Sequence, residues 1–161
     1  MIEIVPLRPH QVRDAKYVVC GVAQRIFLPQ NTPQEFYDIL EEEKELQDMD
    51  DYQRVYENNH GQFLVVIDQE KVVGTGALKK LDQDMAEIKR LWLLEEYHGR
   101  RIGYQVMMKL LDFARENHYK WVRLQTSQIQ TRAIEFYKKL GFYQIPSYRE
   151  SRDDLSMELK L

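Results

Sequence analysis

Residues 86–111 read AEIKRLWLLEEYHGRRIGYQVMMKLL, and the reading of this stretch decides the fold. Met85–Leu94 has the texture of a strand, and Glu95–Gly103 that of a tight turn. Gly103, Val106, Met107, Leu110, Leu111 and Ala114 then recur at i, i+3, i+4, i+7, i+8 and i+11, which predicts an amphipathic helix. A helix N-terminus presents unpaired N–H groups and a partial positive charge of roughly half an electron, so it attracts anions. Gly99 and Gly103 would let a ligand approach the backbone, and Arg100 and Arg101 add full charges. The residues suit phosphate or pyrophosphate; an ordinary strand–helix connection with solvated arginines is the competing reading. Neither GxxxxGK[ST] nor GxGxxG occurs, so this is no P-loop or dinucleotide fingerprint.

Working outward, Trp121–Thr126 reads as the next strand and Thr131–Leu140 as a short helix closed by Gly141. Phe142–Ile145 and the alternating Leu155–Leu161 complete a sheet. Upstream, Gln62–Ile67 and Val72–Lys80 read as a hairpin joined at Asp68–Lys71, with Gly74 and Gly76 taken as bulge or flexible positions. A short strand at Ile2–Ile4 precedes a helix whose apolar side includes Val12, Ala15, Val19 and Ala23. Thr32-Pro33-Gln34-Glu35 is a capped helix start, with Thr32 as cap and Pro33 in the first turn. That acidic helix is expected to reach about Gln47, with a further short helix through Tyr52 and Tyr56. The order of elements predicts one α+β domain over residues 1–161, in three α/β/α layers, with a mixed, mostly antiparallel sheet of six to seven strands.

The 161 residues carry 23 Lys+Arg and 26 Asp+Glu, a net charge of −3 that hides a division. Residues 1–60 hold 6 basic and 12 acidic side chains; residues 61–161 hold 17 and 14. Nine acids lie between Glu35 and Asp51 with only Lys44 among them. If they face a cleft they favour cationic ligands such as polyamines, aminoglycosides or lysine-like amines; if they face solvent they say nothing about specificity. Nucleic acid is an unfavoured partner, since phosphate backbones need a basic surface. The single Cys20 cannot form an intrachain disulfide and is read as core packing, and His10, His60, His98 and His118 lack metal-ligand spacing. No apolar run approaches the ~18 residues of a membrane span, and no secretory signal is visible. The expectation is a soluble, cytoplasmic protein with no metal and no membrane partner, and with open sheet edges that would permit a homodimer.

The strand–turn–helix of residues 86–111 resembles the coenzyme A motif of the GNAT superfamily of N-acetyltransferases, in which [Q/R]xxGx[G/A] opens the helix. Residues 124–142, LQTSQIQTRAIEFYKKLGF, are similar to that family's NxxAxxxYxxxGF segment. Here His98 stands for the motif's Gln/Arg, Arg101 for its first Gly, and Gln130 for the usual Asn, while Gly103 is in place. The resemblance implies a splayed parallel strand pair and acetyl-CoA as cosubstrate. Backbone N–H groups of Gly99, Arg100, Arg101, Ile102, Gly103 and Tyr104 would hold the pyrophosphate, with His98 a turn residue close to it. Leu91, Trp92 and Leu93 would pair with the pantetheine arm, and Gln130, Ala133 and Phe136 would border it. The Leu93 N–H would polarise the thioester oxygen, a contribution of roughly 3–4 kcal/mol in comparable sites. Lys138-Lys139 would reach the 3′-phosphate or simply form a solvated face.

The same resemblance makes Glu87 the candidate base and Tyr137 the candidate acid. An alkylammonium has a pKa near ~10, so a base must remove its proton before attack, and a phenol near ~10 can return one to the leaving thiolate. The competing readings are a solvated strand carboxylate for Glu87 and a core aromatic for Tyr137. Direct attack in a ternary complex on acetyl-CoA by a small-molecule or peptide amine is the implied function. A non-catalytic coenzyme A-binding module and a transferase of another acyl group are the alternatives.

Overall fold

The computed structural model describes residues 1–161 and has at its centre a sheet of seven strands. They are β1 (Ile2–Pro6), β2 (Gln62–Asp68), β3 (Lys71–Lys80), β4 (Met85–Leu93), β5 (Trp121–Thr126), β6 (Tyr143–Ile145) and β7 (Leu155–Lys160). Their order across the sheet is β1-β2-β3-β4-β5-β7-β6. Every neighbouring pair is antiparallel except β4 and β5, which run parallel. This is the mixed sheet expected from the order of elements.

One face is covered by α1 (Val12–Phe27), α2 (Pro33–Glu42), α3 (Gln47–Asp50) and α4 (Tyr52–Val55). Ala15, Val19, Cys20, Phe36, Leu40, Met49 and Tyr56 pack there on Phe63, Val65 and Ala77. On the other face α5 (Ile102–Glu116) lays Val106, Met107, Leu110 and Leu111 over Leu64, Leu78 and Ile88, beside α6 (Thr131–Leu140). Alternation along β2 divides Phe63 and Val65 from Leu64 and Val66, so a single strand feeds both cores. Cys20 is fully buried in this core, and that burial pushes its thiol up to about 11.

The helix of residues 33–42 starts as expected: Thr32 Oγ1 accepts from the Glu35 amide at 3.2 Å. Glu35 does not close a capping box but accepts from the Asn31 side chain. The helix ends at Glu42, five residues short of the expected Gln47, and Lys44 turns left-handed at φ 60°. Glu41, Glu42 and Glu43 crowd a helix C-terminus, where negative charge is disfavoured.

The β2–β3 hairpin turns on Gln69 (φ 47°) and Glu70 (φ 68°), the two left-handed positions of a type I′ turn, with no glycine at either. Left-handed backbone costs a side-chain-bearing residue roughly 1–2 kcal/mol. The double substitution Gln69→Asn, Glu70→Gly is therefore expected to stabilise the fold by about 1 kcal/mol, or roughly 2–4 °C in Tm for a domain this size. A thermal melt checks it; an unchanged or lower Tm would show that the turn is not strained.

Gly76 is neither flexible nor free. A Cβ there would stand 2.5 Å from Val106 Cγ1, so the glycine is what lets α5 lie close against β3. Opposite it, β4 carries a bulge: Thr75 faces Trp92 and Ala77 faces Lys89, leaving Arg90 and Leu91 against Gly76 alone. Arg90 is left-handed (φ 54°), and its carbonyl accepts from Thr75 Oγ1 at 2.6 Å. Its guanidinium reaches Asp48 at 2.6 and 3.2 Å and the Glu45 carbonyl at 2.6 Å. The acidic segment between α2 and α4 thus holds the bend of the central strand.

Candidate active site

The bulge matters because pairing between β4 and β5 stops with Ile88 opposite Leu124. Beyond that point the edge from Lys89 to Leu93 faces no strand, and a cavity of about 310 Å³ opens between the two strands. Glu87, Leu91, Trp92, Gln130 and Tyr137 all line it. Lys89, Arg90, Gln125, Thr126, Arg149 and Asp153 do so as well.

Glu87 is only 1% exposed, which excludes the solvated-strand reading. It stands opposite Lys79 on the face of the sheet that carries Ala77 and the helices α1–α4. Its Oε2 accepts from Tyr148 Oη at 2.5 Å and from the Arg149 guanidinium at 2.7 Å. Oε1 is buried without a hydrogen bond, and Lys89 Nζ lies 3.8 Å away. Tyr137 reaches the cavity from the opposite face, on α6, with its ring against Phe136 and Phe142. Burial raises its phenol well above the usual tyrosine range, so the hydroxyl keeps its proton at neutral pH. Tyr148 is raised too, by burial and by the bond it donates to Glu87.

At the start of α5, none of the amides from Gly99 to Tyr104 donates to another backbone group; the first bond of the helix is Gln105 to Arg101. Gly99 has φ 76°, and a Cβ on Gly99 or Gly103 would meet nothing within 4 Å, so this surface is open to a large anion. Arg101 takes the left-handed cap position at φ 59°. Arg100 and Arg101 lie over the rings of Tyr97 and Tyr104, at 5.3 and 4.9 Å from their centroids.

His98 links this turn to the strand. Arg132 can only donate, so at 3.2 Å His98 Nδ1 accepts from it, and Nε2 carries the proton that it gives to the Leu93 carbonyl at 3.0 Å. The contact holds the end of β4 against the turn. Ala133 and Phe136 pack on the core beneath α5 and α6 and do not line the cavity. Lys138 and Lys139 are exposed.

Lys89 and Arg90 stand as two cations in a mostly apolar strand, a pattern that no motif singles out. Tyr148, Arg149 and Asp153 had no local signal, because they come from the loop between β6 and β7. Part of the acidic surface is paired from within: Lys16 binds Glu41 and Asp50, Arg90 binds Asp48, and Arg152 binds Glu43 and Glu45.

The family model for the acetyltransferase (GNAT) family matches residues 30–142. The chain belongs to that family. Human N-acetyltransferase 8B is 37% identical to this GNAT chain over 101 residues, 59% of this chain and 44% of that protein. The chain spans less than half the length of the curated relatives first matched. An acetyltransferase of Streptococcus agalactiae 2603 superposes with a TM-score of 0.83 at 25% identity, covering 99% of this chain and 98% of that one. The PaiA N-acetyltransferase of Thermoplasma acidophilum, solved in complex with coenzyme A, shares the fold at a TM-score of 0.81 and 22% identity, over 100% and 99% of the two chains. The splayed β4–β5 pair belongs to that common architecture.

Proposed function

We propose that this protein transfers an acetyl group from acetyl-CoA to a primary amine of a small molecule or peptide, with both substrates bound together and the amine attacking the thioester directly. The observation that carries this reading is the convergence of Glu87 and Tyr137, from opposite faces of the sheet, on one cavity where β4 and β5 part. The coenzyme A bound by the structurally similar PaiA enzyme supports the choice of cosubstrate.

Acetyl-CoA supplies the activated acyl group. The free amides from Gly99 to Tyr104 hold its pyrophosphate, with Arg100 and Arg101 beside them. The unpaired edge of Leu91, Trp92 and Leu93 holds the pantetheine arm, and the Leu93 N–H polarises the carbonyl. Glu87 takes the ammonium proton through water, since its Oε1 is buried and unpartnered. As the C–N bond forms and the C–S bond breaks, Tyr137 gives its proton to the leaving thiolate, and the phenolate regains one through water from the attacking nitrogen, which must shed a second proton to become the amide.

Coenzyme A should raise Tm, and acetyl-CoA with an accepted amine should release thiol. Absence of any stabilisation by coenzyme A would remove the site assignment; binding without turnover of any amine would favour a non-catalytic module. Tyr137→Phe is expected to lower kcat by roughly 10- to 100-fold, the low end of general acid catalysis; full kcat would remove the acid role. Arg101→Gly should relieve left-handed strain of about 1 kcal/mol and raise Tm, while coenzyme A binds several-fold more weakly and with less salt dependence. Tighter binding by that variant would mean that the side chain obstructs the pyrophosphate.

A further inference from the structure

The cavity in front of Glu87 is charged on several sides, but most of these charges are committed to one another. Arg90 is held by Asp48 and the Glu45 carbonyl, Glu45 by Arg152, and Arg149 by Glu87. Two side chains are left over. Lys89 makes no hydrogen bond, and its one ion-pair neighbour, Glu87 Oε1, is 3.8 Å away and too distant to accept one. Glu87 carries a single negative charge already bound by Arg149 at 2.7 Å, so Lys89 is a surplus cation. The Asp153 carboxyl makes neither a hydrogen bond nor an ion pair and lines the same cavity.

We propose, resting on the transferase reading above, that the amine acceptor is a free α-amino acid, its carboxylate bound by Lys89 and its amine directed toward Asp153 and Glu87. One uncommitted cation and one uncommitted carboxyl lining one cavity are complementary to a zwitterion. A polyamine would meet Lys89 as a repulsive charge and find only one free carboxyl to bind. A cavity of about 310 Å³ that must also admit the acyl end of the coenzyme suits a molecule the size of an amino acid. Five of the nine acids of residues 35–51, the segment that would favour a polycation, are already paired: Glu41 and Asp50 with Lys16, Asp48 with Arg90, and Glu43 and Glu45 with Arg152.

The test is a thiol-release assay with acetyl-CoA across the α-amino acids, their α-amides, the decarboxylated amines and a polyamine, with coenzyme A binding measured separately. Amino acids are expected to exceed their amides and decarboxylated amines by at least tenfold in kcat/KM. Lys89→Met should collapse that preference, mainly through a higher KM for the amino acids, and Lys89→Arg should restore most of it. Amines without a carboxylate that react as well as amino acids would overturn the proposal while leaving the transferase reading standing; so would a preference unchanged in Lys89→Met. Coenzyme A binding with no acceptor acetylated would remove both. The wild-type panel alone decides the point if Lys89→Met fails to fold.

Discussion

Glu87→Gln is expected to lower kcat by roughly 100-fold or more, the scale on which a positioned base contributes, while coenzyme A still binds. The side chain keeps its shape, and its carbonyl oxygen can still accept from Tyr148 or Arg149. What it loses is the ability to receive the ammonium proton, and an amine of pKa near ~10 stays almost wholly protonated at neutral pH without that help. The burial of Glu87 is what gives this expectation its force. A carboxylate 1% exposed, with one oxygen clamped by two donors and the other unpartnered, is costly to maintain for structure alone. The check is kcat and its pH profile by thiol release, alongside a thermal melt. A variant with the wild-type profile would leave Glu87 a structural residue.

The second large effect falls on stability. Asp48→Ala is expected to cost about 3 kcal/mol, because it leaves the half-buried Arg90 guanidinium without its counter-charge and Tyr56 Oη without its acceptor at 2.6 Å. Burial alone would raise the Asp48 carboxyl, but the hydrogen bonds and charge of Arg90, with the Tyr56 hydroxyl, outweigh it and hold it below the ordinary aspartate range. The sign follows: the contribution is complete above the unfolded value near ~4 and is lost as pH falls through the lower folded value. Wild-type Tm should therefore fall more steeply than that of Asp48→Ala as the solution is made acidic below about pH 4. Parallel curves would mean that Asp48 is not held as a charged partner. Activity should fall with stability in this variant, since Arg90 sits at the bulge where β4 leaves β5.

Much of this fold is legible in local pattern. The spacing of Val106, Met107, Leu110 and Leu111, the alternation of Leu155–Leu161 and the left-handed Gly141 (φ 103°) each specify their element from near neighbours. The bulge is not legible, because Arg90 is held left-handed by Thr75, fifteen residues away, and by Asp48, forty-two away. The charge division of the sequence is similarly local in appearance and non-local in meaning: the acidic half supplies partners to Lys16, Arg90 and Arg152. Glu87 and Tyr137 could be named from the family resemblance, and the structure brings both to one cavity. Tyr148 and Arg149, which clamp Glu87, sit in a loop whose composition carries no signal, and only the pairing of β5 with β7 brings that loop across the cavity.

The most direct test of coenzyme binding at the parted strands is an amide NMR titration of the whole chain with coenzyme A. The largest shifts are expected at Gly99–Tyr104 and along Leu91–Leu93, with smaller ones near Gln130. Shifts confined to other surfaces, with these amides unmoved at saturation, would contradict it.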